Sequence, residues 1–275
     1  MTNSEENEIP LSEPMRRAWL DADERSIVYR KGDVVLRATG EWASTVHQLL
    51  RHLEDAGFEY APRVVGSGFS EDGRETLSFI EGEVINPKPW SDDGVVEVAS
   101  MLRKLHQATS NIVIPGDAIW PPFFGRDIGS SERVIGHCDF APWNIVSRDG
   151  IPSGLIDWEY AGPIDPLVEL AQACWLNVRL FSDDIAEREG LAGVGERAHQ
   201  LGLMVDAYGL SKSQRMGFFE LMLEFVVHDT AFQADEANVT PDSSDTEALW
   251  GLAWRARSAA WMLKNRAVLE KAIRG

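Results

Sequence analysis

The sequence predicts an α+β fold in two unequal parts, a small antiparallel sheet with one helix followed by a mostly helical remainder. Three observations carry this. Short runs rich in Val, Ile and Leu, separated by glycine-bearing turns, fill residues 25–80 around a single helical stripe. Residues 133–157 return briefly to strands, and beyond residue 165 apolar residues recur at helical spacing almost to the end. There is neither an internal repeat nor a low-complexity linker, so the two parts are expected to share one continuous fold.

Taken in order, residues 25–30 and 33–37 read as a hairpin around Lys31-Gly32. Residues 41–56 are a helix, with Val46, Leu49, Leu50 and Leu53 on one stripe and Gly57 as its stop. Residues 63–68 and 76–80 give two more strands, turning at Asp72-Gly73. Val95, Val98, Met101, Leu102 and Leu105 form the core stripe of a helix over 94–109, which His106 closes as a packed residue. Loops rich in Pro and aromatics flank it, at Pro87, Pro89 and residues 112–125. Strands follow at 133–136 and 154–156, then helices over 166–180, 193–208, 211–233 and 246–273, the third capped by Ser211.

The most informative residues lie between the two parts. In VIGHCDFAPWNIV, residues His137, Asp139 and Asn144 form the pattern His-x-Asp-x-x-x-x-Asn, and Asp157 follows in GLIDWEY. Phosphoryl transfer needs such parts: an Asp to accept a hydroxyl proton, and an Asn and a second Asp to hold magnesium against nucleotide phosphates. Pro142 fixes the loop and removes a backbone donor. A hairpin turning at Asp149-Gly150 would bring Asn144 and Asp157 to the same end of a small sheet. Magnesium is a hard cation that takes few protein oxygens alongside phosphate oxygens, which suits Asn with Asp. Each residue alone is equally explained by the turn-forming habit of Asp and Asn. The set points to function.

GHCDFAPWNIV and LIDWEYAGPIDPLVELA resemble the aminoglycoside phosphotransferase family, relatives of the protein kinases with the same two-lobed fold. The resemblance extends through VHQLLRHLEDAGFEYAPRVVG, LSFIEGE, MLRKLHQAT and MVDAYGL, across residues 26–230. It implies a protein-kinase-like arrangement: a nucleotide-binding lobe at 21–82 ending in a hinge, then a catalytic and substrate-binding lobe at 83–275. Asp139 would be the catalytic base, His137 the residue orienting its loop, and Asn144 and Asp157 the magnesium ligands. Asp165 and Glu169 would brace the loop after the metal site. Phe79, Ile80 and Glu81 would form the hinge, meeting the base of ATP or GTP through backbone groups.

The chain departs from the family pattern in several places. Arg37 in VVLRATG stands where a lysine is expected; its permanent charge still binds phosphate oxygens in a bidentate way. Cys138 replaces the Arg before the catalytic Asp of protein kinases, and Ile164 the common Gly before the Asp-Pro pair. On the helix after Arg37, Val46, His47 and Gln48 occupy the region where a glutamate is expected. LDADERSIVYR contains no glycine, so no phosphate-cradling loop can be named.

Composition bounds the partners. The net charge of −18 argues against nucleic acid, whose phosphates need a basic surface. Residues 181–250 hold 14 Asp and Glu against 4 Lys and Arg, a field that would steer a cationic substrate; solubility explains it equally well. Glu220, Glu224 and His228 share one helix face, and the resemblance makes Glu220 and Glu224 expected substrate contacts, against a solvated helix side as the alternative. Glu159, just after Asp157, is a further candidate. No apolar run approaches the ~20 residues of a membrane helix. The start, MTNSEENEIPLSEP, is unlike a signal peptide and reads as a poorly ordered tail over 1–20. Two cysteines and no export signal fit a reducing cytoplasm.

The expected function is a Mg2+-dependent transfer of the γ-phosphate of ATP or GTP to a hydroxyl of a small cationic molecule such as an aminoglycoside. A metabolic kinase of the same fold, for choline, homoserine or an amino sugar, and a nucleotide-binding protein without transfer remain open. A metal-dependent hydrolase would need further ligands, and the six His lack metal-ligand spacing.

Overall fold

The computed structural model describes residues 8–11, 28–114 and 116–275. The first lobe is a five-stranded antiparallel sheet of β1 (Ile9–Pro10), β2 (Tyr29–Lys31), β3 (Val34–Arg37), β4 (Val64–Phe69) and β5 (Glu75–Ser78), in the order β1-β2-β3-β5-β4. Helix α1 (Ala43–Asp55) buries Val46, Leu49, Leu50 and Leu53, the stripe read from sequence. Each such side chain stabilises the fold by about 1.5–3 kcal/mol relative to exposure. The strand expected over 25–30 is shifted to Tyr29–Lys31; residues 25–27 lie outside the described residues. Of the expected tail, Ile9 and Pro10 instead pair with Arg30 and Tyr29 as an edge strand, too short to leave a periodic signal. Residues 1–7 and 12–20 of that tail lie outside the described residues.

Between Val64 and Phe69 the β4–β5 register shifts, where Gly66 and Gly68 take φ of 61° and 92°. Such left-handed values favour glycine, and two within one short strand produce a bulge.

The second lobe is organised around α2 (Asp92–Thr109). Ser91 caps it by accepting the Gly94 N–H at 3.1 Å, and Val95, Val98, Met101, Leu102 and Leu105 are fully buried. Two small hairpin-like pairs follow: β6 (Val134–Gly136) with β9 (Gly162–Ile164), and β7 (Ile145–Arg148) with β8 (Ile151–Leu155). Asp149 and Gly150, at φ of 53° and 78°, make the turn of the second pair with both central residues left-handed, as the sequence predicted. The remaining elements are α3 (Pro166–Asn177), α4 (Asp183–Glu189), α5 (Val194–Tyr208), α6 (Lys212–Arg215), α7 (Phe218–Glu236), α8 (Thr246–Lys264) and α9 (Arg266–Arg274).

Two predicted helices are broken. The one over 211–233 stops after a single turn, closed by a reciprocal Ser211–Gln214 cap, and restarts past Gly217 at φ 83°. The one over 246–273 breaks at Asn265, where φ is −104° and ψ 15°. Apolar spacing continues through both breaks, so periodicity could not reveal them. The short, acidic α4 has too few apolar residues to register as a stripe.

The lobes are stitched together just past the expected hinge residues. Glu83 N–H donates to the Ser147 carbonyl at 2.9 Å and Ser147 N–H to the Glu83 carbonyl at 2.8 Å. Gly82, at φ 141°, precedes this bridge, and a side chain there would collide with the Ser147 carbonyl. No helix among the described residues is long and apolar enough to cross a membrane. Because α2 is packed on every core-facing side, Leu102→Ala is expected to lower unfolding free energy by about 2–5 kcal/mol, read from urea denaturation.

Candidate active site

The residues expected to form a catalytic loop follow β6 directly. His137 is fully buried; its Nε2–H donates to the Ile156 carbonyl at 2.8 Å, while Nδ1 accepts the Asp139 N–H at 3.3 Å. Burial pushes its pKa down, against the opposing pull of Asp139 and Glu169, so the ring is held neutral and in one tautomer. Its ring meets Trp158 edge-on at 4.8 Å between centroids. His137 thus ties the Ile156 carbonyl, next to Asp157, to the backbone of Asp139.

Asp139 and Asn144 are locked to each other. Asn144 Nδ2 donates both to Asp139 Oδ2 at 2.8 Å and to the Asp139 carbonyl at 3.0 Å. The amide nitrogen is thereby committed to Asp139 and the amide oxygen is turned away from it. The 3₁₀ turn Pro142–Asn144 sets this geometry, with Asn144 N–H donating to the Ala141 carbonyl at 2.9 Å. Across the β7–β8 pair, Ile156 N–H donates to the Asn144 carbonyl at 2.9 Å, which places Asp157 beside Asn144.

Asp157 has φ 64° and ψ 62°, a left-handed conformation that Asp tolerates better than most residues. Its Oδ1 accepts Arg37 Nη1 at 2.8 Å. Arg37 Nε donates in turn to Glu75 on β5, whose other oxygen lies 2.9 Å from His47 Nε2. Burial alone would raise the Glu75 carboxyl pKa, but the bonds from His47 and Arg37 outweigh it and hold it below the usual range. Burial likewise opposes the Arg37 charge, and Glu75 and Asp157 overcome it. Sequence reasoning missed Glu75: it looked for an acid on α1, whereas the acid sits directly across the β3–β5 ladder from Arg37.

Beneath the loop lies Glu169, fully buried on α3. Its Oε1 accepts the Cys138 N–H at 2.6 Å and its Oε2 lies 2.7 Å from His106 Nε2, while His106 Nδ1 meets the Tyr208 hydroxyl at 2.7 Å. Cys138 is left-handed at φ 63°, a strained value for a non-glycine residue. Glu169 on its N–H and Gln172 Nε2 on its carbonyl, at 3.2 Å, hold it there. Gly136 is what lets Glu169 approach, since a methyl group there would collide with the carboxylate. Burial pushes the Cys138 thiol well up, so it is a filler and no nucleophile. Asp165 caps α3 by accepting Leu167 N–H at 2.7 Å and also accepts Ser130 N–H at 2.6 Å.

The other predicted residues fare differently. Glu159 lies two residues past Asp157, half-buried, and contributes to the field on Arg37. Glu220 does not face the site: it pairs with Arg266 of α9 across the surface. Glu224 is exposed on the same helix. The end of α7 that approaches the segment after Asp157 is the other one, where Phe232 packs 6.4 Å from Phe123, itself 6.3 Å from Tyr160. Glu220 is 12 residues from Phe232, about 18 Å of helix at 1.5 Å per residue. At the hinge, Phe79 N–H donates to the Asp33 carbonyl at 2.8 Å and the Glu81 carbonyl accepts Arg148 Nε at 3.0 Å. Two of the three hinge residues thus have a backbone group engaged within the protein, while Ile80 packs over Gly154.

The donor set fits a hard divalent cation. Asn144 and Asp157 present an amide and a carboxylate at neighbouring backbone positions. Among the described residues no three His, Cys, Asp or Glu cluster as a metal cage. Few protein oxygens, completed by phosphate and water, is what magnesium takes in phosphoryl transfer.

Comparison with known proteins agrees with this fold. Residues 117–201 match the model of the phosphotransferase enzyme family. The chain is 57% identical to the trifolitoxin immunity protein of Rhizobium leguminosarum bv. trifolii over 249 residues, 90% of this chain and 95% of that protein. Its fold is similar to an amicoumacin kinase in complex with AMP-PNP, Ca2+ and Ami, with TM-score 0.64 and 12% identity over 87% of this chain and 86% of that one. It is similar also to a choline/ethanolamine kinase family protein from Mesorhizobium loti, with TM-score 0.57 and 19% identity over 95% of both chains. An aminoglycoside phosphotransferase from Alicyclobacillus acidocaldarius gives TM-score 0.58 and 16% identity over 92% and 91%.

The neutral, buried His137 makes the fold acid-sensitive. Its folded pKa lies below the unfolded value of about 6.5, so its contribution is complete above that pH and is lost as pH falls through the folded value. Urea unfolding measured below about pH 6.5 should show stability falling with acid, and His137→Asn should flatten that slope.

Proposed function

This chain belongs to the phosphotransferase enzyme family, and from that premise we propose that it is a small-molecule kinase whose catalytic base is Asp139. The observation that carries the reading is the pair of hydrogen bonds from Asn144 Nδ2 to Asp139, which fixes the carboxylate and leaves the amide oxygen's direction for a metal. Asp139 orients the acceptor hydroxyl and takes its proton as the new O–P bond forms and the bond from the γ-phosphorus to the β,γ-bridging oxygen breaks, the nucleoside diphosphate leaving. Asn144 and Asp157 would hold Mg2+, which would supply charge neutralisation on the phosphate oxygens of the nucleotide. His137 keeps the two strands in register, and Arg37 adds fixed positive charge beside Asp157. Positioning and electrostatics supply most of the rate in such transfers.

The donor is ATP or GTP, with the lobe at 21–82 binding it and Ile80 offering the hinge backbone to the base. The lobe at 83–275 takes the acceptor. Nucleotide supply fits a cytoplasmic site of action. The likeness to an immunity protein favours a toxin bearing a free hydroxyl as acceptor, ahead of the aminoglycoside expected from the family resemblance. Phosphorylation would add charge and bulk to such a molecule and so disarm it. Glu159 and Tyr160 line the acceptor side. A second reading, nucleotide binding without transfer, is supported by Arg37 already being shared between Glu75 and Asp157.

The deciding experiment follows phosphate incorporation into candidate toxins, aminoglycosides and amino alcohols by mass spectrometry with MgATP or MgGTP. Transfer supports the kinase; nucleotide binding with no acceptor modified supports the second reading. Asp139→Asn should fold normally and lose at least ~10²-fold in turnover; near-full activity would show the base is assigned wrongly. Asp157→Ala should abolish magnesium-dependent nucleotide binding in calorimetry, and unchanged binding would remove it as a ligand.

A further inference from the structure

We propose that Glu75 and His47 are positioning residues for Arg37, a relay that runs from α1 through β5 to the metal aspartate and sets the grip on nucleotide phosphate. The proposal rests on the kinase reading of the same site. Arg37 is a cation in contact with Asp157, and a guanidinium on a long stem samples many rotamers unless something holds it. Glu75 does so at Nε, which leaves the outer fork aimed at Asp157. The two residues are cross-strand partners, so the sheet itself sets their distance.

A buried carboxylate with one oxygen committed needs a second donor, and Glu75 is only 2% exposed. His47 supplies it from α1, also at 2% exposure. Its ring fits because β4 bulges there: at Gly68 a side chain would collide with the imidazole, and Phe69 packs against the ring at 4.9 Å between centroids. The acid that a helix was expected to bring is therefore carried by a strand, and the helix brings its partner. Movement of α1 reaches Asp157 through two hydrogen-bonded residues. That same helix is held to the second lobe, where Ile119 N–H donates to Thr45 Oγ1 at 3.0 Å.

A merely structural triad would give the same contacts, so the test must read nucleotide affinity. Titration calorimetry with Mg2+ and AMP-PNP is run on the wild-type chain and on Glu75→Gln, His47→Leu, His47→Gln and Arg37→Ala, with melting temperature monitored for each. Glu75→Gln and His47→Leu are expected to weaken binding about tenfold, the scale of one charged hydrogen bond. His47→Gln, which keeps an N–H donor, should recover most of it. In the Arg37→Ala background, Glu75→Gln should cost nothing further, because both act through the same guanidinium. If Glu75→Gln fails to fold, the His47 pair and Gly68→Ala, which displaces the imidazole, carry the same comparison. Lowered melting temperature with unchanged affinity, or losses that add in the double variant, would overturn the relay. A wild-type chain that binds no magnesium nucleotide would overturn the kinase reading and the relay together, whereas wild-type binding with unchanged variants overturns the relay alone.

Discussion

Everything at this site hangs from one buried carboxylate. Glu169 sits at zero exposure, and its two oxygens hold the backbone of Cys138 on one side and His106 on the other. A charge taken out of water is tolerated only when each oxygen has a donor, and here the donors are the loop to be positioned and a helix of the core. The left-handed Cys138 that turns Asp139 outward is stable because Glu169 pulls on its N–H. The loop after β6 is thus anchored to α3 and α2 as well as to its own strand ends, and their packed interior lends it rigidity.

Sequence and structure agree where the determinant is local. The Asp149-Gly150 turn, the α1 and α2 stripes and the convergence of Asn144 with Asp157 were all legible, because turn chemistry and helical spacing are written in adjacent residues. Three things were not. Glu75 partners Arg37 across a ladder from 38 residues away, and no local pattern announces a cross-strand pair. Breaks at Gly217 and Asn265 leave apolar periodicity intact. Glu220 shares its face with Glu224 as predicted, yet which end of α7 meets the metal loop depends on how α7 packs, and Arg266 is its neighbour instead.

The acidic surplus of residues 181–250 looks different once the pairs are seen. Asp183 and Asp184 meet Lys264 and Arg257, Asp206 meets Arg215, and the largely buried Asp229 meets Arg255. Three of these cations, Arg255, Arg257 and Lys264, come from beyond residue 250, so part of the negative stretch is answered by the end of the chain. Exposed pairs of this kind contribute little to stability individually. Their effect on steering is larger, because each one cancels field that a cationic ligand would have felt.

The paired peptide bonds between Glu83 and Ser147 have a mechanical meaning. They do not act alone: Leu155 N–H donates to the Tyr60 carbonyl at 2.7 Å, Ile119 N–H to Thr45 Oγ1 at 3.0 Å, and Arg37 meets Asp157 at 2.8 Å. Attachments spread along a seam oppose rotation as well as sliding. The two halves are buttoned at several places, so parting them means undoing all of these bonds together.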